Sequence, residues 1–153
     1  MRHLDRNLLN PDFVEFLQCL HTESVEAILV GGYAVVLHGY FRTTGDMDVW
    51  IRPTSENYRR MRAAFAAFGL PTEAISEAAF LDASQVDVFT FGRPPMAIDI
   101  LTKVKGLDFD ETFEMAEEIR VDDAPLRLIH LNHLKQAKRA ADRNKDRDDL
   151  EHL

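Results

Sequence analysis

The sequence predicts an α/β (α+β) fold in a single domain over residues 1–153, and three observations predict it. Segments with helical apolar spacing alternate along the chain with short apolar runs bounded by turn residues. A length of 153 residues with 46% hydrophobic content is enough for one core and too little for a second. In one window an apolar run enters a glycine pair, and an Asp-x-Asp pair then opens a second apolar run.

The elements follow in order. Asn10-Pro11 is a cap followed by a first-turn proline, and Phe13, Phe16, Leu17 and Leu20 recur behind it at helical spacing. Residues 27–30 read as a buried strand, 32–38 as a short helix and 48–51 as the next strand. Pro53-Thr54 starts a helix whose apolar face is Tyr58, Met61, Phe65 and Phe68, and Gly69 ends it before Leu70-Pro71. Residues 73–81 are open between strand, loop and short helix. Residues 86–91 are strand-like and end at Gly92-Arg93-Pro94-Pro95, and 96–101 form a further apolar strand interrupted by Asp99. Residues 110–118 read as a helix, with short strands at 119–121 and 126–129 around Asp122-Asp123-Ala124-Pro125. Asn132 is the expected cap of a C-terminal helical segment. No repeat, linker or low-complexity tract interrupts this order.

Charge and cysteine content narrow the function classes. The net charge is −8, yet residues 135–147 carry six basic against two acidic side chains, which leaves −12 on the rest. An acidic chain is a poor general nucleic-acid binder, because non-specific affinity comes from neutralising phosphates. A local basic helix facing a site for anionic nucleotides remains sensible. The one cysteine, Cys19, sits in a helical apolar pattern and reads as a buried thiol in a reducing cytoplasm. The N-terminal residues lack the apolar run of a signal peptide, and nothing has the length of a membrane span, so the expectation is a cytoplasmic protein with no membrane partner.

The chemistry concentrates in two glycines and three acids. Gly31 and Gly32 leave the backbone bare where a strand turns into a helix, which lets amide N–H groups approach a phosphate. Asp46 and Asp48 lie two apart at the entrance of a strand, and strand side chains at that spacing share a face, so they can hold one divalent cation between them. Mg²⁺ suits such a pair, being a hard ion that takes a few carboxylates together with substrate phosphates, and Mn²⁺ suits it too. An acidic pair at a strand entrance is otherwise a solvated turn. Asp99, between Ile98 and Ile100, needs a partner unless it faces water from an edge strand. Asp87 competes for the same role, but Gln85 and Thr90 make its surroundings more polar.

Together, Gly31-Gly32-Tyr33-Ala34, His38-Gly39, Arg42-Thr43-Thr44, Asp46-Met47-Asp48 and Pro94-Pro95-x-x-Ile98-Asp99-Ile100-Leu101-Thr102 resemble the DNA polymerase beta-like nucleotidyltransferase superfamily. Within it the pattern is similar to a compact bacterial group close to the AbiEii-type toxins and the DUF6036 nucleotidyltransferase-like family. The likeness continues through Gly106-Leu107-x-Phe109, Ile129-His130-Leu131, Lys135, Lys138-Arg139-Ala140 and Lys145-Asp146 to the C-terminal leucines. It implies a nucleotidyltransferase fold, a short twisted mixed sheet flanked by helices with the glycine turn and the acids on neighbouring strands. It also implies roles. Asp46 and Asp48 would ligate Mg²⁺, and Asp99 would complete the site as a ligand or as the base for the acceptor hydroxyl. Gly31, Gly32 and Thr44 would contact the NTP. Many members carry serine after the first glycine, where this chain has Gly32.

The implied activity is transfer of an NMP from an NTP to a hydroxyl on an RNA end, a protein or a small molecule, in a setting that includes toxin–antitoxin pairs. A partner protein or a homodimer would complete so small a cleft. The alternative is a module of the same fold that binds a nucleotide or a partner without turnover. Arg42 either holds the triphosphate or pairs with Asp46 or Asp48. Lys135 and Lys138 either reach the nucleotide from the C-terminal helix or form a solvated basic face. His38 reads as a cation at a helix end, and Tyr33, Tyr40 and Trp50 as packing groups before base-stacking ones.

Overall fold

A computed structural model of the protein describes residues 2–4, 7–82, 84, 87–92 and 97–153. The architecture is mixed α/β. Its strands are β1 (Arg2–Leu4), β2 (Ala27–Val30), β3 (Met47–Ile51), β4 (Val88–Phe91), β5 (Ile98–Leu101), β6 (Glu117–Val121) and β7 (Ala124–Leu128). Its helices are α1 (Pro11–Thr22), α2 (Gly31–Leu37), α3 (Ser55–Phe68), α4 (Glu77–Leu81), α5 (Phe109–Met115), α6 (Leu131–Ala141) and α7 (Asn144–His152). Among the described residues no helix is long and apolar enough to cross a membrane.

Local chemistry accounts for most boundaries. The Asn10 side chain accepts from the Phe13 amide at 2.9 Å, and Pro11 occupies the first turn, where no amide partner is needed. Thr54 caps α3 in the same way, and Gly69 ends it in the left-handed region at φ 99°. Ser76 caps α4, which resolves the open segment 73–81 as a short helix. The hairpin β6–β7 turns on Asp122-Asp123, and the Asp122 carboxylate accepts from the amides of Asn7 and Leu9, tying the N-terminal segment to the turn.

All seven strands form one mixed sheet in the order β1-β6-β7-β2-β3-β5-β4. β3 runs antiparallel to β2 and parallel to β5, so the centre of the sheet places the strand that leads into the glycines beside the strand of Asp48, and that beside the strand of Asp99. The sheet is broader than the short one expected, although each strand has only three to five residues. Leu29 pairs with Val49 and faces α1 residues Leu17 and Leu20, whereas Val30 pairs with Asp48 on the opposite face, toward Leu134 of α6. The buried core includes Phe13, Phe16, Ile28, Trp50, Phe65 and Ile100.

Several expectations are corrected. The short helix begins at Gly31 and ends at Leu37, and the helix expected over 110–118 stops at Met115 because β6 starts at Glu117. The C-terminal segment is two helices. His130, not Asn132, caps the first, its Nδ1 accepting from the Asn132 amide at 3.0 Å. Asp142 then enters the left-handed region at φ 51° and breaks the helix before Arg143 opens α7. β1 carried no periodic signal, since three residues are too few to show one. Of the strands expected at 86–91 and 96–101, Val86 and Met96 lie outside the described residues, as does the Arg93-Pro94-Pro95 turn.

Candidate active site

Where β2 gives way to α2, two side chains press against bare backbone. A Cβ on Gly31 would overlap the Asp48 carboxylate, and the residue's φ of 70° favours glycine for a second reason. A Cβ on Gly32 would overlap Thr44 Oγ1, with Arg42 Nη1 at 3.5 Å. Both glycines are therefore required by close approach. The space that a serine at position 32 would fill is taken by the hydroxyl of Thr44, so the site keeps an O–H donor there from another segment.

Asp46, Asp48 and Asp99 line one cleft of about 510 Å³ together with Gly31, Gly32, Arg42, Thr43, Thr44, Lys138, Arg143 and Lys145. The close pair among the acids differs from the expected one. Asp46 immediately precedes β3, and its charge acts on Asp48 as well. Asp48 and Asp99 stand in register across parallel strands, with their carboxyl groups hydrogen-bonded to each other. Asp99 also accepts from Thr90 Oγ1 at 2.7 Å, the threonine being its register partner on β4. Asp87 lies outside this cleft, in the wall of a neighbouring cavity.

Electrostatics make the pair unusual. Burial, then the hydrogen bond to Asp99, then the charges of Asp99 and Asp46 push Asp48 up to about 7, and Lys145 offsets this only in part. Among the described residues none of the three acids has an ion-pair partner, although Arg143 and Lys145 line the same cleft.

A divalent cation fits this donor chemistry, because both carboxylates offer hard oxygen and both lack a counter-ion. Among the described residues no group of three His, Cys, Asp or Glu side chains is arranged to hold a metal ion. The protein thus supplies a carboxylate pair rather than a cage, and Mg²⁺ ordinarily takes its remaining ligands from phosphates and water.

No protein-family model matches the chain, and no curated protein matches it either. The geometry alone carries the functional reading.

The basic candidates separate sharply. Arg42 lines the cleft, but its partner is neither Asp46 nor Asp48: Nε and Nη2 bind Asp149 at 2.7 and 2.8 Å. Lys138 also reaches the cleft wall, yet its ammonium lies 3.2 Å from Asp146 and 2.9 Å from Asp149, with both carboxylates buried. It is neither a solvated charge nor a free nucleotide ligand. Lys135 does not line the cleft, because it occupies another part of the α6 surface. The exposed cations that line the cleft are Lys145 and Arg143, from the helix break and the start of α7, although Arg143 also binds Asp146 through Nε at 2.7 Å. The basic character of residues 135–147 signalled them, although the break that presents them was not readable.

The aromatic candidates pack, as expected. Trp50 meets Phe109 edge-on, Tyr33 meets Phe13, and Tyr40 stacks on His152. His38 is corrected: burial lowers its pKa, and Nε2 donates to the Ile129 carbonyl at 2.7 Å, so it is a neutral link between α2 and the end of β7 rather than a helix-end cation.

Proposed function

We propose that the protein is a metal-dependent nucleotidyltransferase of the polymerase beta-like type, acting in the cytoplasm to move an NMP from an NTP to an acceptor hydroxyl with release of pyrophosphate. The observation that supports this best is the Asp48–Asp99 pair, half-buried and, among the described residues, without an ion-pair partner, in a cleft also lined by groups suited to phosphate.

In this reading Asp48 and Asp99 would hold Mg²⁺ or Mn²⁺, with Asp46 adding negative charge to the same cleft. The bound ion would neutralise the triphosphate and align the attacking and leaving oxygens. Asp99, restrained by Thr90 Oγ1, is the group that accepts the proton of the acceptor hydroxyl. Thr44 Oγ1 and the bare backbone of Gly31 and Gly32 face the phosphates, and Arg143 and Lys145 supply positive charge from the opposite wall. Arg42 serves by holding the loop of Thr43 and Thr44 to α7 through Asp149.

The alternative, a module that holds a nucleotide or protein partner without turnover, draws on the absence of a three-residue metal cluster among the described residues. Incubation with each labelled NTP and Mg²⁺ in a cell extract separates the two. Label on an RNA, protein or small molecule that is lost in Asp48→Ala, with the fold retained, supports transfer. Nucleotide binding with no labelled acceptor supports the module.

A further inference from the structure

Beside the carboxylate cleft lies a second cavity of about 210 Å³, continuous with it through Gly31, Asp48 and Arg143. Its walls combine apolar side chains with charged ones, Lys103, Lys105, Lys138 and Asp146 among them. Ala137 and Ala141 stand one turn apart on α6, and residues four apart share a helix face, so they present a strip with nothing longer than a methyl. Val88, Leu101 and Val104 also line the cavity, and Asp87 brings an exposed carboxylate to it. That carboxylate has no side-chain partner among the described residues.

Size and shape restrict the occupant. Sites for drug-sized ligands run to roughly 300–1,000 Å³, so this cavity is suited to one ring system rather than a whole nucleotide. A nucleoside is bonded to the phosphate that reacts, so a site that holds the phosphates at the bare backbone of Gly31 and Gly32 needs a ring-sized space next to it, and Gly31 lines this cavity too. We propose that this cavity is the nucleobase subsite, with the base lying along Ala137 and Ala141 and Asp87 accepting from the amino group of adenine, cytosine or guanine, which uracil lacks. The proposal rests on the nucleotidyl-transfer reading and adds to it a base preference.

Calorimetric titration with ATP, UTP and inorganic tripolyphosphate, each with Mg²⁺, tests it in the full chain. Ala137→Trp and Ala141→Trp, which fill the cavity, are expected to weaken ATP on the order of tenfold or more, the weight of one buried ring, and to leave tripolyphosphate unchanged. Asp87 is exposed and outside the core, so Asp87→Ala tests the proposal even where a tryptophan variant misfolds. Wild type is expected to favour ATP over UTP, and Asp87→Ala to remove roughly threefold to tenfold of that preference. Unchanged ATP affinity in folded tryptophan variants, or a preference for ATP that survives Asp87→Ala, overturns the proposal. Intact ATP binding with lost transfer would place the acceptor in this cavity and overturn it as well. Wild type that binds neither ATP nor tripolyphosphate overturns the transfer reading itself, a result distinct from the other two.

Discussion

Two pairs of acids, one half-buried in the cleft and one buried behind residues that line it, are treated by the protein in opposite ways. Asp146 and Asp149 are almost fully buried, yet Arg143 and Lys138 serve the first while Arg42 and Lys138 serve the second. Burial raises both carboxyls, and these donors outweigh it, holding both below the ordinary carboxylate range. Among the described residues Asp48 and Asp99 have side-chain hydrogen bonds to each other and to Thr90 alone, and Asp48 rises to about 7 despite the charge of Lys145. A fold able to neutralise one acid pair so completely leaves the other without a cation. The first pair is architecture, joining α6, α7 and the loop before β3, and in the proposed function the second is the place for a cation from outside.

The largest expected effect breaks the architectural pair. Lys138→Met leaves two buried carboxylates short of a partner, and removing one member of such a network costs about 3–5 kcal/mol. Urea denaturation should show that loss. A variant of normal stability with weakened nucleotide binding would instead make Lys138 the nucleotide ligand that its place in a basic run suggested.

The second effect sharpens the contrast through pH. Asp48 has a folded pKa raised above its unfolded value, so the folded state holds the proton more tightly. Its contribution is fully present below about pH 4 and is lost as pH rises to about 7, amounting to a few kcal/mol on the order of 1.4 per pKa unit. Asp146 and Asp149 act the other way, their lowered values giving stability that is present above about pH 4 and lost below it. Thermal melts without divalent ions should therefore peak in mildly acidic solution. Asp48→Asn should flatten the decline toward pH 8 and abolish transfer together, and a decline that persists in that variant would remove Asp48 as its cause.

The smallest effect concerns the phosphate face. Thr44→Ala removes one hydroxyl donor, worth about 1 kcal/mol, so nucleotide Kd should rise roughly fivefold with little change in stability. Gly32→Ala forces the same hydroxyl away and should weaken binding at least as much. An unchanged Kd in both variants would take Thr44 out of the site.

What could be read from the sequence was local. Asn10-Pro11, Thr54, Gly69 and the Asp122 turn each act within a few residues, so α1, α3 and the β6–β7 hairpin were legible from cap and turn chemistry. The Gly31 to Asp48 window was legible because glycine is needed where a carboxylate lies on backbone. That Asp99 needed a partner was also readable, but the identity of the partner depends on β5 lying parallel beside β3, which no local pattern carries. The Arg42–Asp149 pair spans 107 residues, and Lys138 joins two acids from the next helix, so a basic run gave no sign that one of its lysines was buried.

The most direct test of the central claim is calorimetric titration of Mg²⁺ with a non-hydrolysable NTP analogue at pH 8, comparing wild type with Asp48→Asn. Nucleotide binding that requires Mg²⁺ in wild type and loses that requirement or disappears in Asp48→Asn is the predicted result. Equal binding in both proteins, with or without Mg²⁺, would contradict the assignment of the Asp48–Asp99 pair as the cation site.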